Sequence, residues 1–229
     1  MTIEEFENDL VQTGASEEDL QTYGRFLKRV RSNYNRLQHC WLTAYRFPAD
    51  RAEEAVRLIQ WGLENYLDDW FSTYSAHLYI GYILERSGQA QRAYEAFQEA
   101  GRALGDGHDG YRTSLSGELM WSRLQADSYA YSEELEEYYN RFLQNDEFSL
   151  AFLRNDFRLT VTRIVICLHH GDLTAAAEAR RYARQLMGDE RKSRIQSTLD
   201  RHRIKETLEL PEGCKAFLNS LEQTEEETL

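Results

Sequence analysis

Residues 77 to 104, HLYIGYILERSGQAQRAYEAFQEAGRAL, constrain this chain more than any other stretch. Ile80 and Gly81 lie on one helical segment, Gly88 breaks it, and Ala93, Phe97 and Ala100 follow on one face of a second. A glycine inside the first segment lets a neighbouring helix approach closely. The small-large-small stripe offers that neighbour a surface to fit. Such a hairpin hides only part of its apolar surface by itself, so it has to stack on similar units.

The pattern resembles a tetratricopeptide (TPR) unit. In that family's motif an apolar residue and Gly, a turn Gly, and then Ala, Phe and Ala stand where this chain has Ile80-Gly81, Gly88, Ala93, Phe97 and Ala100. His77 replaces the motif's first-helix Trp, Leu84 its Tyr and Gly105 its closing Pro. The resemblance implies an all-α, right-handed α-solenoid of hairpins with helical caps, acting as a protein-binding module. First helices line the concave groove in this family, and its peptide-facing positions fall here on Ser75, Leu78, Tyr79, Tyr82, Glu85 and Arg86. The TPR subset that clamps a carboxylate terminus uses Lys or Asn where this chain has Leu78 and Tyr82, which argues against that activity.

Weaker copies recur. With Ala93 as anchor, equivalent second-helix positions fall at Ala55, Leu135 and Ala176, offsets of 38, 42 and 41 residues. Residues four and seven further on are Ile59 and Gly62, Tyr139 and Phe142, and Arg180 and Ala183, with Arg180 departing from the motif. Turns recur at Phe47 to Asp50, Ser87-Gly88, Tyr131-Ser132 and Gly171-Asp172. These periods predict one domain over 1–221, with hairpins near 30–65, 70–104, 111–146 and 150–187 and a cap over 189–221. Ser16 before Glu17, Glu18 and Asp19 is a good N-cap and predicts a long helix from about 16 to 43. Ser132 with Glu133 and Glu134 starts another. GDGHDG, residues 105–110, reads as the clearest loop. Residues 189–209 read as a charged helix and 211–222 as a short amphipathic one with Pro211 at its start. Leu208, Leu210, Phe217, Leu218 and Leu221 are expected to pack on the preceding hairpin, and the helix around Ile3, Phe6 and Leu10 to cap the other end. The run Glu222 to Leu229 is expected to stay disordered.

Composition supports helices. Of 229 residues 41% are hydrophobic and only two, Pro48 and Pro211, are proline, and no stretch alternates as a strand does. The longest apolar run, Ile164 to Leu168, is too short for a membrane span, and the acidic N-terminus is unlike a signal peptide; a cytoplasmic location is the expectation. The three cysteines, Cys40, Cys167 and Cys214, are odd in number and far apart, suggesting neither a disulfide framework nor zinc. A net charge of −12 disfavours nucleic acid. Basic residues cluster locally, at Arg25, Lys28, Arg29, Arg31 and Arg36 and again from Arg180 to Lys205; these read as solvated faces or as docking surfaces for an acidic partner.

No catalytic constellation stands out, and neither an enzyme nor a cofactor is expected. His169-His170 are adjacent, so on a helix they point about 100° apart and read as a helix-end pair. Asp68-Asp69 and Glu53-Glu54 read as surface carboxylates, and GDGHDG lacks the bidentate carboxylate of a calcium loop. What remains is aromatic density: of 14 tyrosines and four tryptophans, Trp41, Tyr45, Tyr74, Tyr79, Tyr82, Tyr111 and Trp121 fall on first helices. Such side chains either pack between hairpins or recognise a partner. The leading expectation is a non-enzymatic scaffold that holds a peptide or helix of another protein, with no membrane partner. An immunity or antitoxin-type protein masking a basic toxin is the alternative.

Overall fold

Short polar side chains mark where the helices begin in the computed structural model, which describes residues 1–105, 108–144, 153–188, 191–194, 203–206 and 211–226. Thr2 and Glu5 form a capping box at α1 (Ile3–Thr13), and Ser16 and Asp19 do the same at α2 (Glu17–Leu27). Ser32 caps α3 (Asn33–Tyr45), and after a single 3-10 turn at Ala49–Arg51 the chain enters α4 (Ala52–Tyr66). Asp69 caps α5 (Trp70–Arg86), which leads to α6 (Ala90–Leu104). α7 (Asp109–Ala126) precedes α8 (Glu133–Leu143), capped by Ser132. α9 (Leu153–His169) and α10 (Leu173–Met187), capped by Asp172, come next. Two short strands, β1 (Arg191–Arg194) and β2 (Arg203–Glu206), and α11 (Glu212–Glu226) follow.

Turn chemistry repeats at the hairpin bends. Gly88 has φ +78° and lets the Gln89 N–H close back on the Leu84 carbonyl at 2.9 Å. Gly171, φ +73°, allows the same closure from Asp172 to Cys167 at 2.9 Å. The bend after α7 has no glycine. Ser128 and Tyr129 take positive φ instead, and the Tyr129 N–H reaches the Leu124 carbonyl at 2.8 Å.

The chain divides into two compact units, Met1–Arg112 and Thr113–Leu229. In the first, α3 with α4 and α5 with α6 form antiparallel hairpins, and α5 packs against both helices of the earlier pair. Small residues set the spacing. A Cβ on Gly81 would stand 2.3 Å from the Phe97 ring, and one on Gly62 would meet Leu37 and Cys40 within 2.9 Å. Ala55, Ile59, Ala93, Phe97 and Ala100 are all fully buried, as the second-helix stripe requires. α1 packs on α2 and α3, burying Phe6 and Leu10.

In the second unit Gly117 repeats the close approach, its Cβ position lying 2.8 Å from the Phe142 ring. Leu124, Leu135, Phe157, Val161, Ala183 and Leu218 share its core. Arg158, 3% exposed, pairs with Glu118 at 2.7 Å and lies over the Trp121 ring at 5.3 Å, fastening α9 to α7. Arg180, where the repeat expects an aromatic, donates to the Leu221 carbonyl at 2.6 Å and ties α10 to α11. Phe217, Leu218 and Leu221 do pack on the core that holds α10, while Leu208 and Leu210 lie outside the described residues.

Several expectations need correction. The single helix over 16–43 is two helices, because the chain turns between Leu27 and Asn33. Ser32 accepts from the Asn35 N–H there, and Arg36 Nε donates to the carbonyls of Leu27 and Val30, giving both helix ends partners that a continuous helix would not need. The charged helix over 189–209 is replaced by an antiparallel ribbon of β1 and β2, with Arg191 opposite Glu206. That composition has no broad apolar stripe to hold a helix against a core, and the ladder satisfies its backbone groups instead. Glutamate is a good helix former, and α11 runs on through Glu226 instead of ending at a disordered tail from 222; residues 227–229 lie outside the described set. α7 begins at Asp109, inside the GDGHDG segment.

The Gly81–Phe97 contact gives a test in which two effects oppose. Gly81→Ala gains about 1 kcal/mol in helix propensity, but it drives a methyl into a fully buried ring, at about 1 to 3 kcal/mol. The urea midpoint is expected to fall, and Ala93→Leu, at an equally closed site, to lower it as well. A midpoint raised by Gly81→Ala overturns the packing described.

Candidate functional site

Each side of α3 has a different neighbour. Leu37, Cys40 and Ala44 face the core, and burial pushes the Cys40 thiol above its ordinary value, so it stays protonated. His39 and Thr43 turn towards α1 and α2, and Tyr34, Trp41 and Tyr45 towards α5. A fourth side is open: Arg31, Asn35, Leu42 and Tyr45 are exposed at successive spacings of four and three, with Gln38 half-buried between them.

An aromatic ladder joins this open side to α5. Trp41 stacks on Tyr79 with centroids 5.9 Å apart, and Tyr79 meets Tyr45 and Tyr82 edge-on at 5.6 and 6.2 Å. Tyr82 ends on Phe97 at 5.6 Å. In the other direction Tyr34 contacts Trp41 and Phe71, and Phe71 leads to Tyr74 and Tyr111. Trp70 stacks on His108 at 3.9 Å near the start of α7. Leu42 is 45% exposed and Tyr45 41%, so the ladder opens to solvent at one end; Trp70 and Tyr111 are exposed at the other.

The structure separates the six peptide-facing positions. Tyr79, Tyr82 and Leu78 are half-buried on α5, and burial raises the Tyr79 phenol above its ordinary value. Ser75 is buried and Glu85 half-buried. Arg86 has a structural task. It donates to the carbonyls of Tyr45 at 2.9 Å and Phe47 at 2.5 Å, and its guanidinium lies over the Tyr45 ring at 5.0 Å. Tyr79, Tyr82 and Arg86 are thus brought together with Trp41 and Tyr45, whereas Ser75 lies on the packed side.

Other constellations resolve into structural roles. Asp69 caps α5, Glu53 pairs with Arg92, and Glu54 binds Arg51 at 2.9 Å and the Ala15 N–H at 3.2 Å. His169 stacks on Tyr131 at 3.5 Å, and His170 lies 3.1 Å from Glu136, whose carboxyl is held below its usual range by the Tyr131 hydroxyl and then by His170. Burial pushes the Cys214 thiol up to about 11. Among the described residues, no three His, Cys, Asp or Glu side chains converge as metal ligands. No helix there is long and apolar enough to cross a membrane.

Two features escaped the sequence reading. Asn35, Gln38 and Leu42 complete the open side of α3; their spacing was available as a signal, but polar residues do not announce a face. The second is a polar cluster beneath α1. Glu7, 8% exposed, accepts from the Tyr23 hydroxyl at 2.7 Å and from His39 Nδ1 at 2.8 Å. An ionised carboxylate only accepts, so Nδ1 carries the proton, and Thr43 donates in turn to Tyr23 at 3.3 Å. Burial alone would raise the Glu7 carboxyl. The hydrogen bonds from His39 and Tyr23 outweigh it and hold the group below its ordinary 4.5.

A carboxyl depressed on folding contributes stability above its unfolded value and loses it as pH falls through its folded one. Wild type is therefore expected to melt higher than Glu7→Gln at pH 7, with the gap closing as pH drops below about 4.5. Paired thermal melts between pH 7 and 3.5 measure it. A gap that persists or widens in acid contradicts the assignment of charge to Glu7.

No protein-family model matches this sequence, and neither a curated protein nor a solved structure does.

Proposed function

We propose that this chain is a non-enzymatic protein-interaction module of TPR-like hairpins, holding a segment of another protein along the open side of α3 and the adjoining part of α5. One observation carries the reading: Leu42 and Tyr45 are exposed at one end of an aromatic ladder whose next members, Tyr79, Trp41 and Tyr82, are fixed by packing. Anchors of this kind bring contact area with little side-chain entropy to lose, because Tyr79 and the Arg86 guanidinium already hold Tyr45 in place. The stacking of α5 on both helices of the preceding hairpin supports the TPR-like reading, since successive repeats of that family pack their first helices side by side. Tyr82 and Leu78 extend the surface along α5, and Arg86 fixes the end of α3 that presents Tyr45.

Panning a phage-displayed library of random peptides against the full chain tests this. Enriched peptides are expected to bind Leu42→Ser and Tyr82→Ala at least about fivefold more weakly, a loss of about 1 kcal/mol. Leu42→Ser should keep the wild-type urea midpoint, because its side chain stands in solvent. Peptides that bind both variants as well as wild type, or a library that yields none, overturn the proposal.

A further inference from the structure

The open face carries a charge pattern that identifies its occupant. Although the chain has 39 Asp and Glu in 229 residues, none occurs from Leu20 to Ala49. α5 likewise has no Asp, Glu, Lys or Arg from Trp70 to Leu84. The two helices that build the aromatic ladder therefore present an uncharged middle; cations stand at the ends of α3, while α5 has Asp69 at its cap and Glu85 beside Arg86 in its last turn. Lys28 and Arg31 are exposed just before α3, and Arg46 is exposed just after it, held by the neutral side chain of Asn8. α3 has 13 residues, so these ends are about 20 Å apart.

Elsewhere in the same unit three arginines have carboxylate partners: Arg51 pairs with Glu54, Arg92 with Glu53 and Arg102 with Glu99. Among the described residues, Arg25, Lys28 and Arg31 have no anionic partner, and Arg29 has only the Phe26 ring, 5.9 Å from its guanidinium. Part of this clustering suits the carbonyl end of α2, where cations are favourable. That effect fades within a turn. Arg46, the C-cap of α3, is favoured in the same way at that helix's own carbonyl end, but neither dipole explains the absence of acids from Leu20 to Ala49.

Building on the interaction face proposed above, we infer that its partner is an acidic polypeptide segment with an apolar anchor flanked by Asp or Glu. The anchor sits over Leu42, Tyr45 and Tyr82. Carboxylates on one side reach Lys28 and Arg31, and those on the other reach Arg46. Nucleic acid fits less well, because it carries a phosphate at every nucleotide and the uncharged middle of the face gives those phosphates no cation to meet. Rim charges of this kind act on encounter rate and partner choice more than on final affinity, so the binding should be steeply salt-dependent.

Fluorescence anisotropy on the full chain tests the inference with two fluorescein-labelled peptides of about 14 residues. One has a central Leu-Phe pair with Glu on both sides, and the other has Gln in place of every Glu. The acidic peptide is expected to bind at least tenfold more tightly at 50 mM NaCl and to lose most of that advantage at 300 mM. K28Q/R31Q should weaken the acidic peptide several-fold and leave the Gln peptide unchanged, with Arg57→Gln on the exposed side of α4 as a neutral control. Equal binding of both peptides, abolished by Leu42→Ser, overturns the acidic assignment and leaves the interaction face standing. Binding of neither peptide overturns both. Tighter binding of a labelled oligouridine, or sedimentation of the chain as a dimer that K28Q/R31Q dissociates, makes nucleic acid or a second copy the occupant and also overturns the assignment.

Discussion

In the N-terminal unit the carbonyl ends of α1, α2, α3 and α6 are closed by arginines that come later in the chain. Arg51 donates to Val11 and Gln12 at the end of α1, Arg36 to Leu27 and Val30 after α2, Arg86 to Tyr45 and Phe47 after α3, and Arg112 to Gly105 after α6. A helix leaves its last carbonyls without intrahelical partners, and a guanidinium offers several donors in a fixed fork together with a charge that suits the negative end of the dipole. Each such bond, partly exposed, contributes about 1 kcal/mol. Their greater importance is geometric. Hydrophobic packing sets how close two helices come, but it tolerates sliding along the axis, whereas an arginine bonded to two named carbonyls sets the axial position as well.

The aromatic face follows from that positioning. Tyr45 stands at the end of α3 that Arg86 grips, and the same guanidinium covers its ring. α5 can remain uncharged from Trp70 to Leu84 because its polar anchoring comes from the two ends, Asp69 at the cap and Arg86 at the last turn. Concentrating polar fastening at helix ends leaves the middle of the surface uncharged.

Much of this was legible in the sequence. Gly81, Gly88, Ala93, Phe97 and Ala100 carry the α5–α6 hairpin, since a steric requirement at each position admits few residue types. Ser16, Ser132 and Pro211 likewise sit at helix starts. The break between α2 and α3 was not legible, because Arg36 resembles any surface arginine until its carbonyl partners are known. The bend at Ser128 and Tyr129 was hidden for a similar reason: without a glycine, nothing local announces a left-handed turn. At the site, Tyr79 and Tyr82 could be named from periodicity, but not their contacts with Trp41 and Phe97, which depend on how two hairpins stack. The Glu7 cluster gathers side chains 16 and 32 residues apart, beyond the reach of any local pattern.

The direction of those arginine bonds has a further consequence. Tyr45 and Arg86 are 41 residues apart, and Val11 and Arg51 are 40 apart. A chain made from its N-terminus therefore completes each of these helices well before the residue that closes it has been synthesised. Until then the open carbonyls bond to water, and the helix can still slide or fray. Order at the ends of α1 and α3 consequently lags about 40 residues behind synthesis, whereas α2 and α6 are closed by arginines only 9 and 7 residues further on.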